Sequence, residues 1–126
     1  MRSVIAAVVL MCAVVCGGAW YTSKLIDVSG ELSEMNAAIQ SSLEDNAIHN
    51  AQKDIERMKE YLDKKEQVLS AMGDHEEIDK IRMSMAELER YAEGGNTTDA
   101  IAKSEVLEFL FEHMPENYRL KIENIL

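Results

Sequence analysis

From Val28 onward, apolar residues return on a helical period. Val28, Leu32, Met35, Ile39 and Leu43 follow one another at steps of three or four, which is the stripe of an amphipathic helix. Glu44, Asp45 and Asn46 interrupt that stripe, and a second begins at Ala47 and Ile48. It continues through Ala51, Ile55, Met58 and Leu62, then Leu69 and Met72. Gly73 follows as a natural helix stop, because glycine adopts positive φ without a steric penalty. Asp74 is placed to cap the next helix, with Glu77 three residues on completing a capping box. That third helix turns Ile78, Ile81, Met85, Leu88 and Ala92 inward and ends at Gly94, Gly95 and Asn96. Thr97 or Thr98 caps a fourth, with Ile101, Leu107, Leu110, Phe111 and Met114 as its core positions. Pro115 is predicted to stop it, since the residue before a proline avoids the helical region. Residues 117–126 alternate polar and apolar and are predicted to form a short docked helix.

The pattern repeats at an offset of 53 residues. Leu32, Met35, Ile39, Ala47, Ile48, Ala51 and Met58 align with Met85, Leu88, Ala92, Ala100, Ile101, Ser104 and Phe111. Each half is a helix, a short polar break and a second helix, so the predicted body is a small all-α bundle of two αα-hairpins.

Residues 4–21 are an uncharged, mostly apolar run, long enough to cross most of a hydrocarbon layer. Trp20 and Tyr21 stand at its far end, where amphipathic rings suit a wet interface. Arg2 precedes the run, and Asp27, Glu31 and Glu34 follow Lys24. By the positive-inside rule the N-terminus is cytoplasmic and the body extracytoplasmic. The expected organisation is a membrane anchor over residues 1–25 and an extracytoplasmic helical domain over 26–126. A cleavable signal is the rival reading, with residues 4–15 as its apolar region and small residues from Cys16 to Ala19 for cleavage. Lipidation at Cys16 is a third, disfavoured by the bulky Val15 before it.

Charge narrows the partners. Of the 13 basic residues only Arg2 and Lys24 lie among the first 24, and none of the 23 acids does, so the remainder carries 11 basic and 23 acidic side chains, a net of −12. Such a surface repels phosphate backbones and anionic headgroups, which argues against nucleic-acid binding. One proline, six glycines and few aromatics agree with helices rather than strands. Cys12 and Cys16 both lie in the apolar leader, so the body has no disulfide, thiolate nucleophile or cysteine metal site.

Little catalytic chemistry is written in the chain. It has no phosphate-binding loop, dinucleotide glycine pattern or nucleophile elbow, and no cofactor is expected. His75 and Asp79 are four apart on one helix and, joined by His113, form a candidate divalent-metal set. Met83 lies two residues from both Ile81 and Met85, hence off their face, and Tyr61 sits beside Lys64 and Lys65 in a locally less acidic stretch. Met and Tyr suit adaptable contact surfaces, so Tyr61 and Met83 are the candidate partner contacts.

Three stretches resemble a known family: Asp74-His75-Glu76-Glu77-Ile78-Asp79, Leu110-Phe111-Glu112-His113-Met114-Pro115 and the closing Glu123-Asn124-Ile125-Leu126. They are similar to domain of unknown function 4363, found in short anchored proteins of Firmicutes, many of them spore formers. The resemblance implies a bacterial source and an N-terminal membrane segment before a helical remainder. It assigns no activity and no catalytic residue. The expected role is a non-enzymatic, membrane-anchored interaction or scaffold protein, partnered by another envelope or membrane protein or by itself.

Overall fold

The computed structural model describes residues 1–71 and 75–125, with side chains described as far as Glu116. Met72, Gly73 and Asp74 lie outside the described residues, and so do the side chains of the tail, so the helix stop, the cap and the docked tail expected there are not described. The elements are α1 (Arg2–Glu44), α2 (Ile48–Lys64), α3 (Glu66–Ser70), α4 (His75–Glu93) and α5 (Thr97–Ile125). The protein is all-α, as its periodicity predicts, and among the described residues no strand occurs.

Four long helices run up and down in sequence. Each hairpin packs tightly within itself, α1 on α2 and α4 on α5, and α1 lies against α5 to join the two hairpins. The α2–α4 seam is smaller, with short α3 bridging the two helices below it. The predicted stripes supply the core: Leu32, Ile39, Ala51, Ile55, Met58, Leu62, Leu69, Ile81, Leu88, Ala92, Leu107, Phe111 and Met114 are all buried. Met35, Ile48, Ile101 and Leu110 pack at its edge. Asn36 is among the polar side chains buried with them. Its buried Nδ2 donates across the α1–α5 interface to the Ser104 carbonyl at 2.7 Å and to Glu108 at 3.2 Å. Sliding α5 by a turn would carry the Glu108 carboxylate away from that amide, so the contact favours one register.

Two local expectations are corrected. Pro115 does not end α5, which continues to Ile125. A proline inside a helix costs about 3 kcal/mol, and burial of Phe111 and Met114 in the turn before it supplies an opposing term of similar size. The second helix does not run on to Leu69 unbroken. It breaks at Lys65, where φ −98° and ψ 7° redirect the chain into α3. α1 passes without interruption through the expected boundary at residues 25 and 26.

The repeat is real but lies one helical turn from its expected offset. Both interhelical turns close with the same bonds. Asn46 N–H reaches the Leu43 carbonyl and Ala47 N–H that of Ser42; likewise Gly95 N–H reaches Ala92 and Asn96 N–H reaches Tyr91. The positive-φ residue of each turn, Asn46 at 59° and Gly95 at 73°, sets the offset at 49. At that offset Leu32, Ile39, Leu43, Ala51, Ile55, Met58 and Leu62 match Ile81, Leu88, Ala92, Ala100, Ser104, Leu107 and Phe111, all of them buried. A shift of four residues nearly preserves helical phase, which is why the apolar pattern also aligns at 53.

Candidate functional site

The most apolar 18-residue window of α1 has a mean hydropathy of 2.3, and none of it is buried within the protein. This one helix is long and apolar enough to cross a membrane. Trp20 at its end is exposed with the Lys24 ammonium over its ring at 5.5 Å. Tyr21, next to it, turns inward instead. Its hydroxyl donates to the Val68 carbonyl on α3, and its ring packs against the core.

Outside the leader, the large apolar side chains that remain exposed include Met83 at 63%, Phe109 at 60%, Ile26 at 49% and Val106 at 43%. Helical phase places three of these four toward one side of the bundle. The Lys103 ammonium meets the Glu87 carboxylate at 2.7 Å, pinning α5 to α4. Met83 stands one turn before Glu87, and Val106 nearly one turn after Lys103. Because the two helices are antiparallel, both fall on the same side of that ion pair, next to each other along the seam. Phe109 is three residues beyond Val106, and the His113 ring stacks on it with centroids 4.1 Å apart. His113 Nδ1 lies 2.9 Å from the Phe109 carbonyl, so the ring is held against its neighbour from both sides. Met83, Val106, Phe109 and His113 therefore make one face along α4 and α5.

Tyr61 is elsewhere. It is half-buried on the α1 side of α2, packed against the core, with Lys65 over its ring at 5.8 Å. The two expected contact residues thus do not share a surface. Burial, with the nearby carboxylates of Glu31 and Asp27, pushes the Tyr61 phenol above its ordinary value of 10.0. Lys59 is raised as well, chiefly by its hydrogen bond to Glu89 across the α2–α4 seam, and Lys103 by its hydrogen bond to Glu87. All three groups hold their protons more tightly in the folded chain than in the unfolded one. Their contribution to stability is therefore present below the ordinary values of these groups and is lost as pH rises through the raised ones. Urea unfolding at successive pH values from 9 to 11.5 should show this decline, and Tyr61→Phe should make it shallower. An unchanged slope in that variant would show that Tyr61 takes no part.

The expected metal set is held by other contacts or by solvent. His75 and Asp79 are exposed near the start of α4, and His113 is engaged with Phe109. Among the described residues, no group of three or more His, Cys, Asp or Glu side chains is placed to hold a metal ion. Two surface depressions among the described residues are lined by mixed polar side chains: Ser42, Asn50, Lys53, Asp54 and Arg57 in one, and Lys59, Asp63, Arg82 and Glu89 around Leu62 and Met85 in the other. In the second, Arg82 is committed to Asp63 and Glu66, and Lys59 to Glu89. These are ion pairs joining α4 to α2 and α3 rather than groups aimed at a common reacting atom.

Sequence reasoning placed Met83 off the buried stripe, where it is exposed, and did not single out Val106 or Phe109. The signal was present in phase. Leu107, Phe111 and Met114 form the buried stripe of α5, whereas Val106 and Phe109 share a second stripe that the bundle leaves uncovered.

Comparison with known protein families gives a match over most of the chain. The family described as "Domain of unknown function (DUF4363)" covers residues 19–125, and the chain belongs to that family. No curated protein and no solved structure matches it.

Proposed function

We propose that this DUF4363 family member is a non-enzymatic interaction module, held at the cell membrane by the apolar part of α1 and docking to another membrane or envelope protein. In this reading the N-terminus is cytoplasmic and the bundle extracytoplasmic. The observation that carries the proposal is the exposed face of Met83, Val106 and Phe109, because a bundle whose core is complete has no use of its own for it. Clustered exposed apolar side chains mark contact surfaces far more often than scattered ones do. Support for the tether comes from the hydropathy of α1 and from its continuity. One helix from Arg2 to Glu44 leaves no flexible stalk between bilayer and bundle, so the α4–α5 face would be presented sideways to neighbouring membrane proteins.

A photo-activatable phenylalanine analogue placed at Phe109, in cells that normally make the protein, should give a discrete crosslinked species in the membrane fraction. The same analogue at Lys53, an exposed position on α2, should give none. Equal products at both positions, or none at Phe109, would overturn the docking role.

A mature N-terminus tests the tether separately. Mass spectrometry of membrane-extracted protein is expected to find Met1 or Arg2 at the start. Protein free in the medium and beginning near Ala19 would show that the leader is removed.

A further inference from the structure

We infer that the α4–α5 face takes a cationic amphipathic helix from its partner, an inference that rests on the interaction-module reading and names the partner's chemistry. The centre of the face is apolar and preset. Phe109 is exposed, yet its ring is stacked against His113, which is itself fixed by the Phe109 carbonyl. An aromatic anchor already held in position loses little freedom on binding. Met83 adds a flexible thioether that adapts to the shape of an incoming side chain.

The surround is acidic. Glu105 and Glu112 lie one turn to either side of Phe109, Asp79 lies one turn before Met83, and Glu116 follows at the next turn of α5; all four are exposed. Against them stand Lys80, Arg90 two turns after Met83, and a Lys103 already joined to Glu87. An apolar centre with an acidic surround is complementary to a helix that carries Leu-type residues on one side and Lys or Arg along its edges.

The same charges argue against two other occupants. A second copy would bring Glu105 and Glu112 against their own equivalents, on bodies each carrying a net −12, and like charges facing one another across an interface are costly. An anionic lipid surface is repelled for the same reason.

The test uses the full chain in nanodiscs of uncharged lipid, with ¹³C-methyl methionine as reporter and empty nanodiscs as the blank. The probe is a synthetic 14-residue Leu/Lys amphipathic helix, set beside the same peptide with Glu in place of every Lys. The Leu/Lys peptide is expected to shift the Met83 methyl signal saturably, and the Leu/Glu peptide to bind at least about tenfold more weakly. Phe109→Ser should weaken the Leu/Lys peptide by about tenfold, as loss of an anchor residue does. Glu105→Lys combined with Glu112→Lys should reverse the preference between the two peptides, an outcome that a misfolded variant cannot produce.

Equal binding of both peptides, an unchanged affinity in Phe109→Ser, or no reversal in the double charge variant would overturn the cationic assignment. A saturable Met83 shift on raising protein concentration without peptide would overturn it too, in favour of a second copy. In either case a crosslink at Phe109 in native membranes would still stand, so failure of this inference and failure of the docking role remain distinct.

Discussion

A fragment beginning at residue 27 is expected to unfold about 10–30 °C below one beginning at residue 19. The apolar leader and the bundle overlap in α1, and the overlap is structural. Leu25 is completely buried, and Tyr21 packs on the core while its hydroxyl holds the Val68 carbonyl of α3. Removing them exposes what they cover. Burial of one leucine is worth about 1.5–3 kcal/mol, and a hydrogen bond about 1 kcal/mol. For a domain of this size each kcal/mol moves the melting temperature by roughly 4–8 °C. Thermal melts followed by circular dichroism would measure the difference directly. Coincident melts would mean that the bundle is complete without Tyr21 and Leu25. The family match also begins at residue 19 rather than at the polar boundary.

That boundary was illegible in the sequence for a physical reason. A stripe is visible only against a polar background, and within residues 4–21 nearly every position is apolar. The turn at which α1 stops facing its surroundings and starts facing α3 therefore leaves no mark on the pattern. Tyr21 satisfies two descriptions at once, an interfacial ring and a core ring with a hydroxyl partner, and only the position of α3 decides between them. The body helices were legible because their polar faces are dense in charge. Leu32, Ile39, Ile55, Ile81 and Leu88 are buried where their period put them. Pro115 shows the opposite limit: the local rule predicted a stop, and burial of its neighbours on α5 prevailed over the local cost.

The candidate face was legible in part. On α4, charged residues surround Met83, so its departure from the stripe through Ile81 and Met85 stands out. On α5, Val106, Leu107, Phe109, Leu110 and Phe111 are so closely spaced that two stripes overlap. Periodicity alone does not say which of the two faces the bundle. The contacts of α5 with α1 and α4 settle it in favour of Leu107 and Phe111. The convergence of Met83 with Val106 depends on the pairing of α4 with α5, which the Glu87–Lys103 ion pair registers and no single-helix pattern contains.

The two phenylalanines of α5 give the sharpest test of that assignment. They are two residues apart, so they point to nearly opposite sides of the helix. Phe111 is fully buried in the shared core, and truncating such a ring to alanine costs about 3–5 kcal/mol through lost transfer energy and the cavity left behind. Small domains are held by about 5–15 kcal/mol in all, so Phe111→Ala should lower the melting temperature by at least about 15 °C or leave the chain unable to fold cooperatively. Phe109 is exposed and touches His113 on its own helix. Its replacement by alanine belongs with surface changes that stay within about 0.5 kcal/mol, and the melting temperature should move by no more than about 4 °C. Parallel melts of the two variants decide the matter. Similar destabilisation by both would mean that Phe109 is also covered, and the face assigned to partners would then belong to the core. A large loss at Phe111 alone leaves Phe109 free of any role in stability, which is the condition under which its effect on peptide binding and crosslinking reports on contact rather than on folding.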